Sequence, residues 1–130
     1  MGSTLTILVD ENIPFAEKLL AGLGRVIAVP GRNIPETALQ QADILIIRSV
    51  TKIDQALIAQ APGLRFVGSC TIGTDHIDRH ALSAAGIPFA YAPGCNANAV
   101  AEYVLSALLN QRSALDTLME GGELGIVGMG

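Results

Sequence analysis

The sequence predicts an α/β fold: an open, flavodoxin-like parallel sheet of strand order 2-1-3-4-5 with helices on both faces. Two observations predict it. Short β-branched runs recur about every 20 residues, which is enough chain for one crossover helix and two short loops. The central runs are apolar without alternation, as expected for strands that are covered on both faces.

Five runs are predicted as strands, namely Leu5–Val9, Val26–Val29, Ile44–Ile47, Phe66–Ser69 and Ile87–Tyr91. The segments between them have helical spacing. In the first, Asn12 is the expected N-cap, Pro14 fits the first turn and Gly24 is the stop. The other predicted helices are Pro35–Gln41, Ile53–Ala61 and Asp78–Ala85. This alternation is typical of a parallel sheet with crossover helices.

Composition excludes several functional classes. Half of the 130 residues are hydrophobic, enough for a buried core, which excludes a disordered polar chain. With a net charge of −4 and only eight Lys plus Arg, the chain lacks the basic surface that binds nucleic acid or a membrane. No segment approaches 18 uninterrupted apolar residues. No leader precedes the first strand, so we expect a cytoplasmic protein with reduced cysteines.

The C-terminal part departs from the regular alternation. A longer helix is predicted over Asn96–Arg112, with a weaker continuation over Ser113–Glu120. A new strand is expected at Leu124–Val127, and Gly128-x-Gly130 follows it. A strand that leads into G-x-G is typical of the turn that binds a dinucleotide pyrophosphate, although an ordinary flexible tail has the same pattern. Only two of the three glycines are present, so we expect no competent NAD binding by this chain.

Polar clusters follow the third and fourth predicted strands, at the edge where open parallel sheets bind ligands. The first, Arg48–Lys52, contains two cations and two hydroxyls that suit a carboxylate or phosphate, or form a solvated loop. The second, Thr71–Asp78, has a loop suited to an anion. In it, Asp75 or Asp78 is the expected helix cap, and His76 is a weaker candidate for acid–base chemistry.

The remaining candidates favour structural roles. Asn96 is the expected N-cap of the long helix, and Cys95 beside it lacks a paired His. Cys70 is expected in the core and His80 on the surface. Asp10–Asn12 is compatible with acid–base pairing or Mg²⁺ binding as in receiver domains, but Arg48 stands where a receiver needs its phosphoacceptor Asp. Zinc-type spacing is absent, so no metal site is expected.

Several stretches together carry a family resemblance: Ile7–Pro14, Val29–Arg32, Arg48–Lys52, Phe66–His76, Ala92–Ala97, Val100–Val104 and Gly125–Gly128. From Thr6 to Gly130 the chain closely resembles the N-terminal part of the D-isomer-specific 2-hydroxyacid dehydrogenases. The resemblance implies a substrate-binding domain over residues 1–95, a bridging helix over 96–120 and the start of a truncated Rossmann (NAD-binding) domain over 121–130.

The resemblance also implies roles for particular residues. Ser49 and Thr71 match substrate-binding positions of the family, and Arg48 lies beside them. Gly128 and Gly130 match an incomplete NAD-binding motif. The implied parent protein is a homodimer that uses NAD and a small phosphorylated substrate. Its catalytic Arg, Glu and His are expected beyond Gly130, so the chain alone is expected to be inactive.

Two alternatives stay open. Phosphoglycerate dehydrogenase shares the Cys-x-Ile-Gly-Thr loop at Cys70–Thr74 and the Arg-Ser-x-Thr turn at Arg48–Thr51. The stretches Asp10–Asn12 and Pro93–Ala97 instead favour a family member that oxidises a phosphorylated four-carbon acid. The other alternative is a free-standing α/β binding or assembly domain without catalysis.

Overall fold

The computed structural model describes residues 4–125 and residue 127. Residue contacts divide the chain into two units, with the boundary between Pro93 and Gly94. The first unit contains five strands: β1 (Leu5–Asp10), β2 (Gly24–Val29), β3 (Ile44–Ile47), β4 (Phe66–Ser69) and β5 (Phe89–Tyr91). Its helices are α1 (Ala16–Leu20), α2 (Glu36–Leu39), α3 (Gln55–Gln60) and α4 (Arg79–Ala84). The second unit contains α5 (Ala97–Asn110) and α6 (Arg112–Met119).

The five strands form one parallel sheet in the order β2-β1-β3-β4-β5, which confirms the predicted order. In the register of the two central pairs, Val9 lies opposite Ile46, and Ile47 lies opposite Ser69. Because the strands are parallel, their carboxyl ends meet at a single edge of the sheet. The polar segments that follow β1, β3 and β4 therefore start from neighbouring positions.

Two apolar clusters hold the sheet. The larger contains Leu8, Leu45 and Val67 of the sheet with Leu39 and Leu82 of the helices. The smaller contains Ile7, Val9 and Ala16. Successive residues of a strand point to opposite faces of the sheet. Leu8 belongs to the larger cluster and its neighbours Ile7 and Val9 to the smaller one, so the two clusters lie on opposite faces. Each fully buried Leu or Ile contributes roughly 1.5–3 kcal/mol to this packing.

Asp54 and Asp78 cap two of the helices. The carboxylate of Asp78 accepts a hydrogen bond of 2.9 Å from the Ala81 N–H at the start of α4, which confirms one of the two predicted caps. Asp54 accepts from the Leu57 N–H at 3.0 Å at the start of α3. The prediction that this helix begins at Ile53 is wrong, because Ile53 instead pairs with Ile77 in a parallel bridge.

Two other predicted boundaries are also wrong. Asn12 does not cap the first helix, which begins only at Ala16, after Phe15 with a φ of 60°. The Asn12 backbone N–H donates to the Asp10 carboxylate instead, at 2.9 Å. The last strand begins at Phe89 and not at Ile87, which is buried in the larger cluster. At Asn12 a local hydrogen bond, and at Ile87 burial in the larger cluster, take the place of the expected structure.

The second unit differs from the predicted bridging helix over residues 96–120. The helix is interrupted at Gln111, whose φ of −106° and ψ of 75° are incompatible with continued helical hydrogen bonds. Asn96 occupies the N-cap position of α5, but its side chain makes no capping hydrogen bond. Of the predicted strand over residues 124–127, the described residues Leu124, Gly125 and Val127 are not in a strand, since a strand requires a paired neighbour.

From the sequence, either Asp75 or Asp78 could cap α4. The two residues are therefore a matched pair for mutation. We expect Asp78→Ala to lower the free energy of unfolding by about 1 kcal/mol, because the Ala81 N–H loses its acceptor. Asp75→Ala in the same loop should change it by less than about 0.5 kcal/mol. Urea unfolding followed by circular dichroism measures both. Equal losses in the two variants would contradict the assignment.

Candidate functional site

The candidate site is the carboxyl edge of the sheet at β1, β3 and β4. These strands are neighbours in the sheet, and each is followed by polar residues. In open parallel sheets, ligands bind outside the carboxyl ends of the strands. The side chains that matter come from the ends of β1 and β4 and from the loops after β2, β3 and β4.

Asp10 ends β1 with a buried, charged side chain. It is only 1% exposed, and its Oδ1 accepts from the Asn12 N–H at 2.9 Å. Its Oδ2 lies 3.1 Å from the Nε of Arg48. The Nε–H is not directed at Oδ2, so this is an ion pair without a hydrogen bond. Burial raises the pKa of Asp10, but the Asn12 N–H and the Arg48 guanidinium outweigh it and hold the pKa below its ordinary value.

Gly31 packs directly against this ion pair. A Cβ at Gly31 would overlap the Oδ2 of Asp10 and would lie 3.2 Å from the Oγ1 of Thr51. Thr51 is also buried, and its hydroxyl donates to the Gly31 carbonyl at 2.7 Å. The loops after β2 and β3 are therefore tied to each other and to the end of β1.

The cations of the predicted Arg48–Lys52 cluster point to different partners. Arg48 pairs with Asp10, and 34% of its side chain is exposed. Lys52 pairs with Asp54 at 3.3 Å, and 79% of its side chain is exposed. Lys52 also lines a cleft of about 290 Å³ between the loops after β2 and β3. Ser49, on the same loop as both cations, is exposed.

Three side chains at the end of β4 form a hydrogen-bonded cluster. The Oγ of Ser69 lies 2.7 Å from the Oγ1 of Thr71 and 3.3 Å from the Nε2 of His76. The Thr71 hydroxyl also donates to the Gly73 carbonyl at 3.4 Å. Ser69 is buried, whereas Thr71 is half-buried. The predicted binding residue Thr71 is thus supported by two side chains behind it.

A backbone bridge joins the loops that carry Arg48 and Thr71. The Ile53 N–H donates to the His76 carbonyl at 2.8 Å, and the Asp78 N–H donates to the Ile53 carbonyl at 2.8 Å. This bridge follows β3 and β4, which pair directly in the sheet. The loop with Arg48 and Ser49 is therefore held beside the loop with Thr71.

The other candidates have simpler surroundings. Burial lowers the pKa of His76 below its ordinary value, and the negative charge of Asp75 only partly opposes this. His80 lies exposed on α4, as expected. Cys95 is exposed just before α5. The prediction that Cys70 belongs to the core is wrong: it directly follows buried Ser69 but is itself exposed. Its N–H donates to the Ile47 carbonyl at 2.9 Å, so its backbone continues the sheet pairing.

Sequence reasoning missed three partners in this site. It did not connect Asp10 with Arg48, and it did not single out Ser69. It considered His76 for acid–base chemistry and not as a hydrogen-bond partner of Ser69. The sequence does contain a signal for Asp10 and Ser69, because each is a polar residue at the end of a strand whose inner residues are mostly apolar. Buried polar side chains of this kind require a partner.

Comparison with known proteins identifies the family. The catalytic-domain model of the D-isomer specific 2-hydroxyacid dehydrogenases matches residues 7–121. Erythronate-4-phosphate dehydrogenase of Shewanella sediminis is 49% identical over 126 residues, which are 97% of this chain and 33% of the relative. The protein of the same name from Tolumonas auensis is 50% identical over 97% of this chain and 34% of its own length. This chain belongs to the D-isomer specific 2-hydroxyacid dehydrogenase family.

A solved structure supports the fold. D-Lactate dehydrogenase from Aquifex aeolicus, complexed with NAD and lactic acid, has a TM-score of 0.64 at 20% sequence identity. The similarity covers 94% of this chain and 39% of that one. This chain spans about a third of the length of the curated relatives that it matches.

The described residues of this dehydrogenase-family chain do not contain a complete pyrophosphate site. A pyrophosphate site needs a strand that turns through glycines into a helix N-terminus. Leu124, Gly125 and Val127 are not in a strand, and the predicted cofactor residues Gly128 and Gly130 lie outside the described residues. No group of three His, Cys, Asp or Glu in the described part of the chain could hold a metal ion. Among the same residues, no helix is long and apolar enough to cross a membrane.

Gly31 packs so closely against the ion pair that position 31 has no room for a side chain. We expect Gly31→Ala to lower the free energy of unfolding by about 1–3 kcal/mol, because the new methyl group overlaps the Asp10 carboxylate. Gly22→Ala is the matched control, since nothing lies within 4 Å of its added Cβ. Urea midpoints of both variants provide the comparison. A Gly31→Ala protein as stable as Gly22→Ala would show that the loop packing is loose.

The lowered pKa of His76 predicts a pH-dependent stability. The unfolded chain takes up a proton at this residue near the ordinary value of 6.5, while the folded chain stays neutral to lower pH. The unfolded state then binds more protons, so the free energy of unfolding falls as the pH is lowered through this window. His76→Gln should remove this part of the slope. Urea unfolding between about pH 7 and pH 5 measures it, and an unchanged slope in the variant would contradict it.

Proposed function

We propose that this chain forms the substrate-binding part of an NAD-dependent dehydrogenase that oxidises 4-phospho-D-erythronate to 2-oxo-3-hydroxy-4-phosphobutanoate. The observation that carries the proposal is the identity of about half of the residues, over 97% of the chain, to relatives named erythronate-4-phosphate dehydrogenase. The carboxyl edge of the sheet supports it, because Arg48, Ser49 and Thr71 offer a cation and hydroxyls to an acid with two anionic groups.

In this proposal the chain binds and orients the substrate. The Thr71 and Ser49 hydroxyls donate to anionic oxygens, and the Arg48 guanidinium adds positive charge at the same edge. NAD, when bound elsewhere in the complete protein, accepts the hydride. The transfer of hydride and proton is assigned to groups outside this chain, so the chain alone should be inactive.

The proposal also extends to the setting of the complete protein. We propose a cytoplasmic homodimer that serves the biosynthesis of pyridoxal 5′-phosphate. The second unit supports association, because α5 carries exposed apolar side chains, namely Val100, Tyr103, Val104, Leu105 and Leu109. Sedimentation velocity on the complete protein tests the dimer, and a single monomeric species at micromolar concentration would refute it.

The direct test is an assay of the complete coding sequence that contains this chain. We expect reduction of NAD with 4-phospho-D-erythronate and much slower reduction with 3-phosphoglycerate, the substrate of the alternative family member. The 130-residue chain, assayed in parallel, should give no turnover. A preference for 3-phosphoglycerate would replace the proposed substrate. Absence of activity with both acids would favour a binding domain.

Substitutions at the two hydroxyl positions test the proposed contacts. We expect Ser49→Ala and Thr71→Val in the complete protein each to raise the KM for 4-phospho-D-erythronate by roughly 10-fold, because each removes a hydrogen bond to a charged oxygen. The control is Ser83→Ala, an exposed hydroxyl on α4 away from the carboxyl edge. Kinetics that match the control at both positions would remove these residues from the site.

A further inference from the structure

The hydrogen bonds behind Thr71 can run in either direction, and the contact of Thr71 with the Gly73 carbonyl favours one of them. The Gly73 carbonyl can only accept, so the Thr71 hydroxyl uses its single proton in the 3.4 Å contact with that oxygen. The 2.7 Å contact between Ser69 and Thr71 allows either hydroxyl to donate, and in the arrangement in which Thr71 donates to Gly73 the Ser69 hydroxyl is the donor. The stronger of the two contacts is therefore the one in which Thr71 accepts.

The same reasoning continues to His76. Because the Ser69 proton is used toward Thr71, the Ser69 oxygen can only accept from the Nε2 of His76, 3.3 Å away. In this arrangement Nε2 carries a hydrogen. Both the neutral Nε2–H tautomer and the imidazolium satisfy this requirement, so protonation of His76 does not reverse the chain of donors. Only the neutral Nδ1–H tautomer would reverse it.

The backbone on either side of the imidazole is held in place. The Ile53 N–H donates to the His76 carbonyl at 2.8 Å, and the neighbouring Ile77 is buried. Ser69 is 5% exposed, so its hydroxyl has few competing partners from solvent. The long contact of Thr71 with Gly73, in contrast, lies at the exposed end of the chain of hydrogen bonds and is the weakest by distance.

We propose that Ser69 and His76 are positioning residues that keep the Thr71 hydroxyl a hydrogen-bond donor toward the ligand. A ligand oxygen replaces the Gly73 carbonyl as the acceptor, while the contacts to Ser69 and His76 remain. The site at Thr71 therefore selects an acceptor without a proton of its own, such as a carboxylate or phosphate oxygen. The inference rests on the proposed function only in taking Thr71 as a substrate contact.

The tautomer of His76 tests the direction without any assay of activity. In long-range ¹H–¹⁵N spectra of the chain above the His76 pKa, we expect His76 to be wholly the Nε2–H tautomer. His80, the other of the two histidines, is exposed and is the internal reference that samples both tautomers. Ser69→Ala should shift His76 toward the pattern of His80. An Nδ1–H signal from His76 in the wild-type chain, or no change in Ser69→Ala, would overturn the inference.

Kinetics of the complete protein test the consequence for binding. His76→Leu removes the donor, whereas His76→Gln keeps an N–H donor near the position of Nε2. We expect His76→Leu to raise the KM for 4-phospho-D-erythronate by about 5-fold with kcat changed by less than about 2-fold, and His76→Gln to restore the KM. Equal KM values for the two variants would reduce His76 to a packing role.

The two experiments separate failure of the inference from failure of the proposed function. Absence of turnover of 4-phospho-D-erythronate by the wild-type complete protein refutes the proposed substrate, and the tautomer measurement then decides the direction of the hydrogen bonds alone. Thermal melts of both His76 variants identify loss of folding. If His76→Leu unfolds, Ser69→Ala replaces it in the KM comparison, with the same rise expected and an unchanged KM overturning the inference.

Discussion

The buried charge of Asp10 is the constraint on which the carboxyl edge of the sheet depends. An ionised carboxylate without solvent is several kcal/mol unfavourable unless charge and hydrogen bonds compensate it. Here the Asn12 N–H and the Arg48 guanidinium supply that compensation. Arg48 must therefore turn toward β1, and Gly31 must lack a side chain. The contacts among the loops after β1, β2 and β3 therefore depend on this one buried charge.

This requirement also determines what the edge offers a ligand. Asp10 and Arg48 together carry no net charge, so Arg48 attracts an anion less at long range than an unpaired cation would. About a third of the Arg48 side chain is exposed. This part acts on a ligand mainly at contact distance, where the direction of its N–H groups matters. The loop with Thr71 is held beside it by the bridge between Ile53 and Ile77. In the proposed function, the edge therefore selects ligands through the placement of donors more than through its total charge.

Most of the fold was predictable because its signals are local. The even spacing of apolar runs predicts the parallel sheet, and Asp78 is a cap that its own neighbours define. The errors lie at the boundaries of segments. Asn12 has good cap chemistry, but the first helix begins only at Ala16, and the Asn12 N–H donates to the Asp10 carboxylate two residues earlier. Ile53 has helical spacing, but it pairs with Ile77, which is far away in the sequence. Local patterns contain no information about that distant partner.

The candidate site also contains residues that the sequence predicts and residues that it does not. The family resemblance and the strand ends predict Arg48, Ser49 and Thr71, but neither indicates which side chains stand behind them. Asp10 contacts Arg48 of another segment, which only the folded sheet brings close, whereas Ser69 contacts His76 of the loop that follows its own strand. Their position is nevertheless informative, because each is a polar residue that ends a buried apolar strand. A buried polar group without a partner is costly. A sequence that places such a group at a strand end therefore implies a partner in a loop at the same edge of the sheet, and here those partners are Arg48 and His76.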